Sequence, residues 1–307
     1  MTTPTVTYVT GASGFIGKHV LASFQGSETE VVIGVGRSAG LTHYDDLLSH
    51  KLADDSAIIH LAGKAHDLHS VPDEAEYDAA NYVLTRSLYD AFRASNARIF
   101  VFVSSVKAVT DNPASPVNED TPAEPKTAYG RSKLKAERYV TAHPARPGQL
   151  VYILQPCVVQ GPGAKGNVRL LMRFVQSGLP YPLAAFHNQR SVLSIDNLVF
   201  CLHSILRRPV PEGRYLVADD DPLSAVDMVK TIAAARGRSP RLLSPSIRLV
   251  RLAARLGTRL RLPLTTERLD KLTEDHVIDN SKLLTALGVA RLPTDSAVGL
   301  ARSVNCR

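Results

Sequence analysis

Residues 7–17 read TYVTGASGFIG, and this stretch decides how the rest of the chain folds. A β-branched and apolar run ends at Thr10, the helical pattern FIGKHVLASF follows, and Gly11, Gly14 and Gly17 stand at the junction. Positions without a side chain let the backbone come close to an anion. The unpaired amides and the dipole at a helix start favour a pyrophosphate there. Between a strand and a helix this spacing marks a dinucleotide site, with Ser13, Phe15 and Ile16 in the same cradle.

Working outward, strand signals recur at Val31–Val35, 57–61, 99–104 and 150–155. The intervening NYVLTRSLYDAFRAS and AYGRSKLKAERYVTA carry apolar residues at helical spacing. Alternating strands and helices predict an α/β fold: a Rossmann-type doubly wound parallel sheet over residues 1–160. Residues 161–307 are expected to form a smaller C-terminal substrate-binding lobe, with some segments returning to the first domain. There, GLPYPLAAFHNQRSVLSIDNL mixes strand and turn signals before a helix from about Asp196 to Arg207. Ser224 with Asp227 makes a helix start, and DNSKLLTALG reads as the last short helix. In RLVRLAARLGTRLRL, Arg248, Arg251 and Arg255 share a helical face opposite Leu and Val, which reads as a solvated face rather than a membrane or nucleic-acid contact.

Among 307 residues, 44% are hydrophobic and 21% charged, which excludes a disordered chain. The net charge of +7 suits an anionic ligand but is scattered, apart from that arginine run, and no nucleic-acid partner is expected. No apolar run approaches the ~20 residues that span a bilayer, and the chain enters a strand almost at once, so a cytoplasmic protein without an integral membrane segment is expected. Cys157, Cys201 and Cys306 are too few and too scattered for a disulfide framework and read as reduced thiols. His60, His66 and His69 lack companion ligands, so no metal is expected.

An acid normally ends the strand after such a glycine turn and meets the ribose 2′-hydroxyl of NAD. Gly36, Arg37 and Ser38 stand there instead. A guanidinium fork matches a 2′-phosphate, and Ser38 can add a hydrogen bond, so NADP(H) is favoured and NAD(H) remains possible. The segment from Arg37 to the strand at 57–61 is short for a helix plus another strand, which predicts a trimmed sheet edge on the adenine side.

Tyr129 and Lys133 lie four apart at the head of a helical pattern, on one face. An ammonium there, helped by the charge of an oxidised nicotinamide, is expected to lower the tyrosine pKa and make it an acid/base. Ser104 and Ser105 end a strand of the same sheet, at the carboxyl edge where ligands bind.

In order and spacing, TGASGFIG, HLAG, Asn81 at the head of NYVLTRSL, SSVKAV and YGRSK resemble the extended short-chain dehydrogenase/reductases, specifically the nucleotide-sugar epimerase/dehydratase family. GPGAKGN and NQRSVLSIDNLV are similar to the segments that hold the nucleotide diphosphate and close the sugar pocket. The resemblance implies Tyr129 as acid/base, Lys133 as its partner and ribose contact, Ser105 as the hydroxyl that orients substrate, and Asn81 supporting the lysine through a water. It also implies Leu61, Ala62, Gly63 and Pro156 beside the cofactor, Asn167 on the diphosphate, Arg190 as a phosphate clamp, and a homodimer through the helices at Asn81 and Tyr129. Two departures stand out: Gln155 precedes Pro156 where arginine is common, and VVQGPG replaces the usual valine-tyrosine-glycine.

The implied chemistry is hydride transfer at carbon 4 of a UDP-sugar. Arg37 tilts the reading toward a 4-ketoreductase, because a redox-neutral 4-epimerase with tightly bound NAD gains nothing from the reducing NADPH pool. A 4,6-dehydratase is disfavoured, since SSVKAV lacks the acidic pair which that chemistry uses. A non-catalytic NADP-binding sensor or interaction protein on the same fold is the alternative of another class, opposed by the joint presence of Ser105, Tyr129, Lys133 and Asn81.

Overall fold

Each β-branched run pairs with a parallel neighbour. A computed structural model describes residues 4–26, 30–49, 52–65, 73–111, 116–164, 167–260 and 265–304. In chain order the first half contains β1 (Val6–Thr10), α1 (Phe15–Ser23), β2 (Val31–Val35), α2 (Tyr44–Ser49), β3 (Ala57–His60), α3 (Glu74–Tyr77), α4 (Leu84–Ala94), β4 (Ile99–Val103), α5 (Ala128–Ala142) and β5 (Leu150–Pro156). The second half contains β6 (Val158–Gln160), α6 (Asn167–Gln176), β7 (Val192–Ser194), α7 (Ile195–Arg207), β8 (Gly213–Val217), α8 (Ala225–Ala234), α9 (Ile247–Leu260), α10 (Thr266–Thr273), α11 (Ser281–Leu287) and α12 (Ser296–Val304).

The main sheet has six parallel strands in the order β2-β1-β3-β4-β5-β8. After β2 the chain forms only α2 before crossing to the other side of β1, so β2 is the sheet edge and the adenine side is trimmed as the short segment predicts. Successive strand residues point to opposite faces. Ile99, Val101 and Val103 accordingly join a core under α1, α7 and α11, while Phe100 and Phe102 join a second core under α2, α4 and α5. Every residue of β4 is buried, as a central parallel strand requires.

The remaining helices build a smaller layer around the short parallel pair β6-β7. Val168, Met228, Ile232 and Leu300 form one apolar cluster there, and Tyr181, Phe186, Val250 and Leu269 another. Ser224 and Asp227 make a reciprocal capping box at the start of α8.

The structure corrects several boundaries. β3 and β4 each stop one residue early, at His60 and Val103, and β5 runs on to Pro156. Helix formation before β4 begins at Glu74 rather than Asn81, because the Asp73 carboxylate accepts the Ala75 amide and Glu74 and Glu76 suit the positive helix end. The helix at 281–287 is not the last: α12 follows, its signal blurred by small residues but its Leu300 and Val304 buried. β8 also escaped the strand reading and closes the far edge of the sheet. Cys157 and Cys201 are buried free thiols, and burial pushes both well up. Cys306, His66 and His69 lie outside the described residues.

Candidate active site

The glycine turn is built by close approach. Gly11 has a positive φ of 68°, and a Cβ there would sit 2.8 Å from the Ala62 amide nitrogen. A Cβ on Gly17 would sit 2.3 Å from the Gly11 carbonyl oxygen. Gly14 caps α1 with no side-chain hydrogen bond and no acid in the first turn, so that turn offers its amides to an incoming anion. Ser13 and Gly14 are exposed, and Phe15 and Ile16 half-buried, along the same rim. The ends of neighbouring strands are tied here, since the Ala62 amide donates to Thr10 Oγ1 at 3.3 Å.

Arg37 and Ser38 stand exposed on the loop after β2. Tyr44 joins them, although nothing in the sequence flags it. Its hydroxyl accepts the Gly11 amide at 3.2 Å, and its pKa, raised by burial, is drawn back by that amide and by the Arg37 guanidinium. Arg37, Tyr44 and Gly11 therefore share one corner of the turn, where an adenosine ribose meets the strand end. The glycine cradle fits a pyrophosphate.

Beyond the sheet's carboxyl edge, Thr127 caps α5 by accepting the Gly130 amide at 3.1 Å, which brings Tyr129 onto the first turn. The two serines after β4 separate cleanly. Ser104 turns into the core and donates to the Glu137 carboxylate. Ser105 faces the Tyr129 hydroxyl, and its own Oγ accepts the Lys107 amide at 3.2 Å. Burial raises the Tyr129 pKa, and the Ser105 hydrogen bond works against that rise.

Lys133 is 3% exposed. Its ammonium donates to the Val103 carbonyl at 3.1 Å and lies 4.8 Å from the Phe102 ring centroid. Burial pulls its pKa down to about 8, against the pull of Glu137. At Tyr129 burial of the phenol dominates, while the Lys133 ammonium is held by the end of β4. Below it, the Gln155 amide donates to both Glu137 oxygens at 3.0 and 2.8 Å. Glu137 is almost fully buried, and burial raises its pKa, with the Ser104 and Gln155 hydrogen bonds and then the charges of Arg214 and Lys133 only partly compensating.

Asn81 sits in a π-helical turn, Asp78–Val83, between α3 and α4. The extra residue per turn points its side chain at the end of β3, a placement common at functional sites. Its Oδ1 accepts the Lys64 amide at 2.8 Å, and its Nδ2 donates to the Lys64 carbonyl at 3.0 Å and to Ser132 Oγ at 2.9 Å. Ser132 in turn donates to the Tyr129 carbonyl at 2.8 Å. A Cβ on Gly63 would fall 2.5 Å from Asn81 Oδ1 and 3.3 Å from Lys133 Nζ. Asn81, Gly63, Lys133 and Tyr129 are therefore brought together, with Leu61, Ala62 and Pro156 at the ends of the adjoining strands.

Toward the smaller lobe, the Arg190 backbone bridges both Leu223 and His276. Burial and the charges of Lys107 and Arg190 push the His276 pKa down to about 4, while the Lys107 ammonium, four residues from the end of β4, is held by Asp111, donating to its carbonyl at 3.0 Å and pairing with its carboxylate at 3.3 Å. His276 Nε2 is buried without a partner. Lys107 lies inside SSVKAV without being singled out there, and His276 carries no motif; only the fold brings them near Arg190. Asn167 is the first residue of α6, and its side chain lies outside the described residues. His60 is fully buried, its two ring nitrogens at 2.7 and 2.8 Å from the hydroxyls of Thr10 and Thr85, and burial pulls its pKa to about 3.

A glycine-turn parallel sheet with serine, tyrosine and lysine gathered at its carboxyl edge defines a dinucleotide-dependent enzyme of the short-chain dehydrogenase/reductase class. Residues 7–218 match the NAD dependent epimerase/dehydratase family, and the chain belongs to it. It is 29% identical over 248 residues, 74% of each chain, to a UDP-glucose 4-epimerase of Vibrio cholerae. It is also 32% identical over 166 residues, 52% of this chain and 54% of the other, to a GDP-6-deoxy-D-mannose reductase of Pseudomonas aeruginosa. The crystal structure of UDP-N-acetylglucosamine 4-epimerase from Bacillus cereus shares the fold at a TM-score of 0.75 and 21% identity, covering 97% of this chain and 98% of that one. Among the described residues no helix is long and apolar enough to cross a membrane.

Proposed function

We propose that the protein transfers hydride at carbon 4 of a UDP-linked sugar, and that its favoured direction is NADPH-dependent reduction of a 4-keto sugar. The observation that carries the chemistry is the meeting of Ser105 with Tyr129 beside buried Lys133. When bound, the dinucleotide supplies or accepts the hydride. Ser105 orients the sugar oxygen, and Tyr129, whose raised pKa keeps its proton at neutral pH, delivers that proton to the forming alkoxide. Lys133 holds positive charge under the site and engages the nicotinamide ribose. The first-turn amides of α1, with Ser13 to Gly17, bind the pyrophosphate; Arg37, Ser38 and Tyr44 bind a 2′-phosphate; Leu61, Ala62, Gly63 and Pro156 line the nicotinamide side.

Arg190, with Asn167, binds the substrate diphosphate, with the positive charge of Lys107 acting on the same region. Residues 1–160 act as the dinucleotide domain and the remainder mainly as the substrate lobe. A cytoplasmic homodimer completes this reading. The likeness to an epimerase over 74% of both chains favours a second reading, a 4-epimerase retaining NAD.

Mass spectrometry of the nucleotide released on denaturation, with NADPH and NADH titrations, separates the two. An empty protein that binds NADPH more tightly and passes deuterium from labelled NADPH to a UDP-4-keto-6-deoxyhexosamine supports the reductase. Tightly retained NAD and no net label transfer support the epimerase and refute the Arg37 assignment.

A further inference from the structure

Helix α9 presents three stripes. Val250, Ala254 and Gly257 are buried against the smaller lobe, where Val250 and Ala254 join Tyr181, Leu183 and Leu269. The leucines do not follow them inward. Leu249, Leu252, Leu256 and Leu260 recur at spacings of three and four and are 63%, 53%, 50% and 66% exposed. Arg248, Arg251, Arg255 and Arg259 form the adjoining stripe, all exposed, and the helix carries no carboxylate. Leu272 on α10, packed beside α9, is 47% exposed as well. The arginines are exposed as a solvated face requires, but a solvated face alone does not account for a continuous exposed leucine row beside them.

We propose that α9 docks the enzyme on an anionic phospholipid bilayer, lying in the plane of the interface. The leucine row suits the acyl boundary and the arginine row suits headgroup phosphates, the composition of an in-plane amphipathic helix. At 14 residues, and held to the lobe by its third stripe, it cannot span a bilayer. Charge complementarity selects this occupant. A second copy seated antiparallel on the same leucine row by two-fold symmetry would set both arginine rows along one side of the seam with no acid on either helix. A nucleic acid would match the arginines and leave the leucines in water.

The test is vesicle flotation of the full chain, using phosphatidylcholine alone and an equimolar mixture with phosphatidylglycerol. Binding to the mixed vesicles and not to the neutral ones is expected. Leu252→Ser with Leu256→Ser should weaken it about tenfold or more. Arg251→Gln with Arg255→Gln should weaken it about fivefold per arginine. Both pairs are exposed, so unchanged melting temperatures would verify that the fold is intact. The proposal is overturned if the protein ignores anionic vesicles at low salt, or if the leucine variant binds undiminished, which would mean charge adsorption alone. It is overturned equally if the leucine variant converts a dimer to a monomer, which would make this face a subunit interface.

Discussion

Lys133 is where burial and charge compete most openly. Its pKa falls from 10.5 to about 8, so the unfolded chain holds more protons than the native one between those pH values. Stability attributable to this group is present above the unfolded pKa and lost as pH falls through the folded one. Cofactor-free protein should therefore gain stability relative to Lys133→Met as pH climbs from 8 to 10.5, with a slope approaching about 1.4 kcal/mol per pH unit; parallel urea titrations would read it. A flat difference would mean that water reaches the ammonium. At the neighbouring residue, Tyr129→Phe removes the acid/base and keeps the ring, and turnover should drop by about 10²–10⁴-fold with cofactor affinity unchanged. Undiminished turnover would end the catalytic assignment. Gly17→Ala should weaken dinucleotide binding measured by calorimetry, because the new Cβ meets backbone at 2.3 Å and α1 must shift off the turn. These residues are legible in the sequence because their geometry is local: a glycine turn and one helical turn fix it. Glu137 and Tyr44 are not, since their partners come from Gln155 and Gly11, far along the chain, and neither is His276, whose neighbouring charges come from Lys107 and Arg190.

At the scale of elements, the strand and helix periods carry most of the architecture, and misses fall where a short element relies on its neighbours. α5 is legible end to end because its cap, Thr127, and its apolar spacing agree. α12 is small-residue rich and is held by packing on α8, so its period says little alone. The π-helical turn is invisible to periodicity altogether, and its role is positional. Asn81→Ala should leave the Lys64 amide and carbonyl without their side-chain partner, costing about 1–3 kcal/mol in chemical denaturation. If Asn81 positions the site rather than merely stabilising it, Asn81→Ala should also lower kcat more than it raises KM. A stability loss with unchanged kcat would assign it to the fold alone.

For the whole molecule, the parallel sheet puts the glycine turn, Ser105, Tyr129 and Lys133 at one edge. In the proposed function the ends of β1 and β2 supply the nucleotide corner, β3 and β4 the nicotinamide side, and the returning chain at Arg190 and His276 the anionic end of a substrate. A dinucleotide bridging these ends binds the native state alone, so it stabilises the protein by mass action, by about 2.7 kcal/mol at a hundredfold excess over Kd. If the Arg37 corner takes a 2′-phosphate, NADPH should raise the melting temperature more than NADH at equal concentration, and Arg37→Ala should erase that difference while leaving the NADH shift in place. Equal shifts in the unaltered protein would show that the guanidinium does not read the phosphate. The exposed arginine would then be a surface charge, and the reductase reading would lose its main support.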